Sequence, residues 1–258
     1  MLVLEDQIGN KISLGQSASR IVSLVPSITE LLAYLQMDDQ VMAITKFCVH
    51  PDNWFNSKTR IGGTKNPRLQ DIIKLNPDLI IANKEENRKE DIEYLKQYSQ
   101  VYVSDVVDMA GNLKMIADIG ILTGKTVLAE ELLSGISKAL QDLPIYTPSS
   151  ALYFIWKSPW LSVGADTFIH HMMQLAGFSN LLAAQTRYPE ADIKNWNLDP
   201  PEYVLLSSEP YPFTEKHISE VQEIFPNSKI ILVNGEYFSW YGSRVLMALE
   251  LFKQRKFL

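Results

Sequence analysis

The chain has 258 residues, enough for one large domain or two smaller ones. Hydrophobic residues make up 46% of it and charged residues 21%, a composition typical of globular proteins. The formal net charge of −6 argues against nucleic acid as a partner, and no apolar run reaches the roughly 18 residues of a membrane span. The first residues lack a basic start and an apolar core, so the sequence as written predicts no signal peptide.

Short apolar segments alternate with helical segments over the first hundred residues. The predicted strands are RIVSLVPS (20–27), QVMAIT (40–45), PDLIIAN (77–83) and QVYVS (100–104). The intervening segments, such as ITELLAYLQM, carry apolar residues at helical spacing, and Ser27 or Thr29 is the predicted cap of that helix. Strands that alternate with helices predict a parallel sheet.

A long helical segment follows and interrupts this alternation. From Met109 to Leu140 the apolar residues recur at helical spacing without any strand signal, and two prolines in DLPIYTPSS end the segment. We therefore predict an N-terminal α/β lobe over residues 1–108, a linker helix over 109–142 and a C-terminal α/β lobe over 143–258.

The second half repeats the pattern of the first. ALYFIW, EYVLLS and KIILVN are predicted strands, and the helix after the first of them has Asp166 or Thr167 as its cap and Gly177 as its stop. The segments that begin at Pro77 and Pro201 both read proline, acid, four apolar residues, two polar residues and glutamate. The predicted fold is α/β, with two similar lobes of mostly parallel sheets joined by one long backbone helix.

A ligand site in such a fold is expected outside the carboxyl ends of the strands. The predicted strand-end loops are rich in aromatic and basic residues, although loops are usually polar. Such loops suit a large, flat or anionic ligand, because rings provide contact area and cations provide charge-assisted hydrogen bonds. The aromatic residues are Phe47, Trp156, Trp160, Tyr188, Tyr211, Phe213, Phe238, Trp240 and Tyr241, and the basic residues are Lys46, Lys65, Lys84, Lys157, Arg187 and Arg244.

Motifs for catalysis or direct metal binding are not found in the sequence. GILTGKT has only three residues between its first glycine and the Gly-Lys pair, so it does not fit a phosphate-binding loop. The four histidines show no i, i+4 pair, which argues against a His-rich metal site. Cys48 lies two residues from His50 without a third orienting group, and a small packed thiol is the favoured interpretation. We therefore predict a non-enzyme with no catalytic residues.

The sequence resembles the helical-backbone (class III) substrate-binding proteins of ABC importers over nearly its whole length. The likeness is closest to the cobalamin-binding and iron-siderophore-binding branch. It is carried by RIVSLVPSITELLAYL (20–35), by IGGTKNPRLQDIIKLNPDLIIANKEEN (61–87), by TFI with LAGFSNLL (167–182), and by the spacing D..G..I.L near the start. The resemblance implies two lobes bridged by a rigid helix, with a chelate or corrin ligand in the cleft between them.

Family contact and docking positions carry over with departures. The aromatic contacts of the cobalamin-binding protein fall near Phe47 or Cys48, at Thr64 and at Tyr188, and Thr64 stands where that protein has a tryptophan. The two glutamates that dock such proteins onto the importer fall on Gln70 and Lys194. Both acidic charges are therefore missing, although Asp71 and Asp192 lie close by in the sequence.

The segment YFSWYGSR (237–244) falls at the rim of the family's cleft. We expect Trp240, Tyr241 and Arg244 to face that cleft and Phe238 to be part of the core.

The sequence thus predicts a monomeric binding protein for a metal chelate or corrinoid, such as a cobalamin-like, siderophore or haem ligand. Direct metal ligands and intrinsic cofactors are not expected, and an ABC importer permease is the expected protein partner. The predicted ligand contacts are Lys46, Phe47, Thr64, Lys84, Trp156, Trp160, Arg187, Tyr188, Trp240, Tyr241 and Arg244.

Alternatives in function and location stay open at this point. The chain could instead be a cytosolic protein on the same fold that handles or modifies a corrinoid-type cofactor. As written, it is expected in the cytoplasm; with a longer N-terminus, it would be a periplasmic or cell-surface protein.

Overall fold

A computed structural model describes residues 1–256 of the chain. These residues form two compact units. The first unit consists of Met1–Val106, Ala110–Gly135 and Tyr241–Arg244. The second consists of Val107–Met109, Ile136–Trp240 and the chain from Val245 onward. The domain boundaries at residues 108 and 142 stay a prediction.

The first unit is built on a five-stranded parallel sheet with the strand order β5-β4-β3-β6-β7. Its elements are β1 (Leu2–Glu5), β2 (Lys11–Leu14), β3 (Ile21–Ser23), α1 (Pro26–Tyr34), β4 (Val41–Ile44), α2 (Asp52–Ser57), β5 (Thr59–Arg60), α3 (Leu69–Lys74), β6 (Leu79–Asn83), α4 (Lys89–Leu95) and β7 (Gln100–Ser104). All five residues of the interior strand β6 are buried, which explains its nearly continuous apolar sequence.

One part of the core of this unit lies on the α3–α4 face of the sheet. Val22 of β3 is opposite Ile80 of β6, and Ile80 is opposite Val101 of β7. These three side chains pack with Ile72 of α3 and Leu95 of α4. The apolar spacing of those two helices is therefore explained by burial of one helical face on the sheet.

An antiparallel hairpin of β1 and β2 precedes the sheet and was not predicted. The carboxylate of Asp6 accepts hydrogen bonds from the backbone N–H groups of Ile8 (3.0 Å) and Asn10 (2.7 Å) in the hairpin turn. It also accepts one from Val103 of β7 (3.0 Å). One buried side chain therefore shapes the turn and attaches the hairpin to the sheet.

Helix α1 begins differently from the prediction. Neither Ser27 nor Thr29 caps it, because the helix already starts at Pro26, with Val25 as its N-cap. Proline suits the first helical position, since its missing N–H would have no partner there. The Thr29 hydroxyl lies inside the helix and donates back to the carbonyl oxygen of Val25 (2.8 Å).

The segment for which one linker helix was expected contains two helices, α5 (Met109–Thr123) and α6 (Thr126–Gln141). The first ends because Gly124 adopts a left-handed backbone conformation (φ 68°), and Lys125 N–H then donates to the carbonyl of Gly120 (2.8 Å). A Cβ at Gly120 would lie 2.5 Å from the Cβ of Ala129, so this glycine allows α5 and α6 to pack closely.

The second unit is built on a four-stranded parallel sheet with the strand order β11-β10-β8-β9. Its elements are β8 (Ser149–Phe154), α7 (Phe168–Leu175), β9 (Phe178–Asn180), a 3-10 turn (Ile193–Asn195), β10 (Tyr203–Ser207), α8 (Glu215–Ile224), β11 (Lys229–Val233), α9 (Glu236–Ser239) and α10 (Arg244–Gln254). The two parallel α/β sheets confirm the predicted fold class.

Within the second unit, Phe154 of β8 and Leu206 of β10 pack with Val221 of α8 and with Phe225, the residue after that helix. Thr167 caps α7 as predicted, since its hydroxyl oxygen accepts the N–H of His170 (3.2 Å).

Within residues 1–256, no helix is long and apolar enough to cross a membrane.

Candidate functional site

Buried polar side chains stand at the carboxyl ends of the strands in the first unit. Ser23 ends β3 and Ser104 ends β7, and both are buried. Asn83, at the end of β6, donates to the Ser104 hydroxyl (3.1 Å), and its own backbone N–H donates to the side-chain oxygen of Asn87 (2.8 Å). The Asn87 amide in turn donates to the Thr64 carbonyl (3.0 Å). The network fixes the loop that contains Thr64, while the Thr64 side chain stays half-buried.

Lys46 and Phe47 form the exposed part of the loop after β4. The Phe47 side chain is 50% exposed, and the ammonium group of Lys46 lies 4.9 Å from the centre of its ring. The Lys46 N–H donates to the carbonyl of Gly62 (2.8 Å), which joins this loop to the one that contains Thr64. An exposed ring with an adjacent cation can contact a flat or anionic group.

Cys48 lies under this loop as a packed thiol. Its sulfur is 3.1 Å from the hydroxyl oxygens of both Thr29 and Thr45, and burial raises the pKa of the thiol.

Because attack requires an accessible thiolate, we expect Cys48 in the native protein to react with Ellman's reagent at least about 100-fold more slowly than in the unfolded protein. Stopped-flow kinetics with and without guanidinium chloride measure the ratio. Equal rates would contradict a packed thiol.

Lys84, Tyr241 and Arg244 have carboxylate partners within the first unit. Lys84 pairs with Asp105 (2.5 Å) at the surface. Tyr241 is buried and donates to Glu86 (3.1 Å); burial, together with the Glu86 charge, raises the pKa of its hydroxyl.

Arg244 is also buried and binds Glu30 of α1 through two nitrogens, at 2.9 and 2.6 Å. The sequence had suggested that Tyr241 and Arg244 face a ligand. Instead, the carboxylates of Glu86 and Glu30 hold both side chains in the interior of the unit.

Trp240 and Phe238 occupy the interior of the second unit. The Trp240 indole N–H donates to Glu209 (2.9 Å), which also accepts the hydroxyl hydrogen of Ser239 (2.6 Å), and only 7% of Trp240 is exposed. Phe238 is fully buried, 5.3 Å from the ring centre of Tyr153. Phe238 is therefore a core residue as predicted. Trp240 is also buried, although the sequence had suggested that it faces a ligand.

Four aromatic residues after β8 and β10 form what we call the aromatic cluster: Trp156, Trp160, Tyr211 and Phe213. Trp156 meets Tyr211 edge-on at 5.6 Å, and Trp160 stacks on Phe213 at 5.7 Å. Trp160 also contacts the core through Phe154 at 5.0 Å. Trp156 is 41% exposed, so the cluster joins the core of the unit to a solvent-facing ring at the strand ends.

Arg187 and Tyr188 lie in a loop of the second unit whose backbone is fixed on both sides. Arg187 adopts a left-handed conformation (φ 60°), its N–H donates to the Asp166 carboxylate, and its carbonyl accepts the N–H of Gly164 (2.8 Å). The guanidinium carbon is 5.7 Å from the ring centre of Tyr188. An arginine in a conformation that favours glycine suggests that its side chain has a role beyond the fold.

His217 was missed as a site residue, although it contacts two members of the aromatic cluster. Its ring lies 5.5 Å from that of Tyr211 and 5.3 Å from that of Phe213. One sequence signal was available: Thr214 and His217 have the spacing of a helix capping box in which histidine replaces the usual glutamate or glutamine.

The first expected docking position, Gln70, lies on the exposed side of α3. Its amide donates to the Tyr94 hydroxyl (3.1 Å), and both line a surface cavity of about 540 Å³ together with Arg68, Leu69 and Asp71. Asp71, the neighbouring acid, pairs with Arg68 (2.6 Å), so a basic partner would meet a carboxylate already bound to an arginine.

The second expected docking position, Lys194, lies in the exposed 3-10 turn. Asp192 caps this turn: its carboxylate accepts from the Asn195 side chain (2.8 Å) and backbone (3.2 Å), and these bonds lower the pKa of Asp192. Asp192 therefore presents a stable negative charge next to the reversed charge of Lys194.

Metal binding by the chain itself has no support among residues 1–256, where no group of three or more histidine, cysteine or acidic side chains could hold a metal ion. A second surface cavity, of about 390 Å³, lies beside the β1–β2 turn and the first residues of β7, and its lining residues are not among the predicted contacts. The predicted contacts that are most open to solvent are Lys46, Phe47 and Lys84 in the first unit, and Trp156 and Arg187 in the second.

Known proteins resemble this chain in sequence. It is 26% identical over 198 residues to an uncharacterised ABC transporter substrate-binding lipoprotein, YvrC, of Bacillus subtilis, covering 72% of this chain but only 62% of that protein. It is 23% identical over 244 residues to the vitamin B12-binding protein of Vibrio vulnificus strain YJ016, covering 90% of this chain and 87% of the relative.

Solved structures share the fold. The periplasmic vitamin B12-binding protein BtuF of Vibrio cholerae superposes with a TM-score of 0.78 at 18% identity, over 92% of this chain and 96% of that chain. The periplasmic haem-binding protein RhuT from Roseiflexus sp. RS-1 gives 0.79 at 18% identity, over 93% and 97%. These matches confirm the resemblance to the helical-backbone binding proteins. The family model for periplasmic binding proteins matches residues 21–228, and the chain therefore belongs to that family.

Proposed function

We propose that the protein is the solute receptor of an ABC importer and that its ligand is a metal chelate with a flat or bulky organic frame, such as a corrinoid, a haem or a ferric siderophore. The ligand is cargo, so neither a resident cofactor nor catalysis is part of the proposal. The names of similar proteins, which include binding proteins for vitamin B12 and haem and an ABC-type Fe³⁺-hydroxamate transport system, support this ligand class.

The observation that carries the proposal is the aromatic cluster at the strand ends of the second unit. Large indole rings are usually buried, but Trp156 is 41% exposed while its edge rests on Tyr211. Trp160 and Phe213 support this pair from below. A preorganised ring surface of this kind binds flat apolar ligands without first losing side-chain freedom.

Each unit adds a cation next to an aromatic ring. In the first unit Lys46 stands over Phe47, and in the second unit the guanidinium of Arg187 lies over Tyr188. We propose that each of these cations can contact a carboxylate or phosphate of the ligand and that, within the first unit, Thr64 and Lys84 lie at the margin of the surface that Phe47 offers. Trp240, Tyr241 and Arg244, which have internal carboxylate partners, would act by supporting the loops rather than by touching the ligand.

The proposed importer would differ from one that reads two acidic docking residues. Gln70 is neutral, and Lys194 reverses the charge at the second position. A matching permease would therefore meet the side-chain amide of Gln70 on α3, which is hydrogen-bonded to Tyr94 of α4. At the 3-10 turn it would meet two opposite charges, those of Lys194 and Asp192. The alternative of a cytosolic corrinoid-modifying protein is not favoured, because the named relatives are solute-binding proteins.

Titration of the protein with a ligand panel tests the proposal. The protein is unfolded to remove bound material, refolded, and titrated with cyanocobalamin, cobinamide, haem and a ferric hydroxamate while tryptophan fluorescence is recorded. We expect one class to bind with a dissociation constant below about 1 μM and to quench Trp156 and Trp160. Absence of binding by all four would overturn the proposed ligand class.

Variants locate the binding surface. Trp156→Ala is expected to weaken binding of the best probe about fivefold, because it removes one partly exposed ring from the contact surface. Tyr98→Ala removes a similarly exposed ring (51%) from the α4 side of the first unit and serves as the matched control. Equal affinities of both variants and the native protein would show that the aromatic cluster does not bind the probe.

A further inference from the structure

The N-terminus of α8 depends on one nitrogen of His217. His217 is the third residue of the helix, and its Nδ1 accepts a hydrogen bond from the backbone N–H of Thr214 (2.9 Å). A glutamate or glutamine carboxyl or amide oxygen normally accepts this bond in a capping box. Histidine can accept it only while Nδ1 carries no proton.

The opposite edge of the imidazole ring, which carries Nε2, contacts the aromatic cluster. Nε2 lies 3.3 Å from the Tyr211 hydroxyl, and the ring edge contacts both Tyr211 and Phe213. His217 is almost fully buried. With Nδ1 occupied as an acceptor, the proton of the neutral ring must be on Nε2, where it can be donated to Tyr211.

Charged groups around His217 favour its neutral form. Burial, Lys157 after β8 and Lys216 on α8 lower its pKa, and a backbone hydrogen bond with Thr214 and the charge of Glu220, one turn along α8, act in the opposite direction. Glu220 itself pairs with Lys157, which reduces what it can offer to a charged imidazole. Tyr211 is the titratable neighbour from the loop after β10.

We propose that neutral His217 is the positioning residue of the aromatic cluster and that its protonation releases the loop over residues 208–214, which weakens ligand binding at Trp156. A proton on Nδ1 would face the Thr214 N–H, so that two donors meet and this capping bond is lost; the Thr214 hydroxyl oxygen, 3.2 Å from Nδ1, could then accept from Nδ1 in its place. Tyr211 contacts Trp156, and Phe213 stacks on Trp160. Both Tyr211 and Phe213 belong to the loop that would be released. This inference rests on the proposed function only for the ligand-binding step.

The direction of the pH effect follows from linkage. With the loop in place the pKa of His217 is below its ordinary value of 6.5, and with the loop released it returns towards that value. Above about pH 6.5 both forms are neutral and the ordered loop is fully favoured. As the pH falls below about 6.5, the released loop binds more protons, so order and affinity are progressively lost.

The first test uses binding across pH with two variants. For the probe that binds best among cyanocobalamin, cobinamide, haem and a ferric hydroxamate, we expect affinity to fall about tenfold between about pH 7.5 and about pH 5. His217→Gln keeps an acceptor for Thr214 without titrating, so it should retain the affinity and lose the pH dependence. His217→Leu should bind weakly at both values. The same pH dependence in His217→Gln as in the native protein would overturn the proposal.

A second test needs no ligand and separates this inference from the proposed function. Nitrogen-15 NMR of the histidine rings, assigned with His217→Gln, should show a neutral His217 with its proton on Nε2 at neutral pH. Acrylamide quenching of tryptophan should rise on acidification in the native protein but not in His217→Gln. Failure of every probe to bind, with these two results intact, would remove the proposed function alone. A proton on Nδ1 at neutral pH would overturn the positioning role.

Discussion

Replacing Glu30 by alanine is expected to lower the free energy of unfolding by about 3 kcal/mol, because it leaves a buried guanidinium without its counter-charge. Arg244 is only 8% exposed and binds both oxygens of the Glu30 carboxylate, at 2.9 and 2.6 Å. The penalty arises from the unpaired charge rather than from the attraction itself. Urea unfolding followed by circular dichroism measures the loss.

A matched control and a double variant identify the cause. Asp71→Ala breaks an exposed pair with Arg68 (2.6 Å) on α3, where solvent screens both charges, and should change stability by less than about 1 kcal/mol. Glu30→Leu combined with Arg244→Met removes both charges and should cost clearly less than Glu30→Ala alone. Equal losses for Glu30→Ala and Asp71→Ala would show that Arg244 is not held by this ion pair.

Much of the fold could be predicted because local pattern and burial agree. β6 is a run of five buried residues that begins two positions after Pro77, and its sequence is apolar apart from the terminal asparagine. The same agreement identified β8, β10 and β11 and the Thr167 cap of α7. Where each segment's own preference matches its place in the sheet, the sequence alone is informative.

The errors occurred where a backbone position depends on distant contacts. The break between α5 and α6 needs the left-handed Gly124 and the close approach of Ala129 to Gly120, and neither is visible in apolar spacing. The hairpin of β1 and β2 depends on Asp6, which also bonds to Val103, 97 residues away. A period-based prediction contains neither kind of contact.

The sequence predicts which loops follow the strand ends, but not how each side chain in them is oriented. Strand-end loops do hold exposed Phe47, Trp156 and Arg187. Inside the YFSWYGSR segment, however, partners far along the chain decide orientation: Tyr241 binds Glu86, 155 residues away, and Arg244 binds Glu30, 214 residues away. An arginine beside aromatic rings looks the same in sequence whether it binds a ligand or a glutamate.

Replacing Arg187 by glycine is expected to separate binding from stability. Glycine fits the left-handed backbone (φ 60°) without strain, and the hydrogen bonds of the Arg187 N–H and carbonyl to Asp166 and Gly164 remain. Relief of strain and the greater entropy of unfolded glycine oppose each other, so stability should stay within about 1 kcal/mol. If the guanidinium contacts a ligand carboxylate, affinity for haem, which carries carboxylates, should fall about 10- to 100-fold.

Arg255 provides a closely matched control for this prediction. It too has a left-handed backbone (φ 50°), and its guanidinium lies 4.4 Å from the ring centre of Tyr146, but it follows α10 rather than a strand end. Arg255→Gly should therefore repeat the small stability effect and leave haem affinity unchanged. Isothermal titration of both variants, with urea unfolding alongside, gives the two quantities separately. If the Arg187→Gly protein binds haem as well as the native protein does, ligand contact does not explain the left-handed conformation of Arg187. Recognition of anionic groups would then have to depend on Lys46 beside the exposed Phe47 ring.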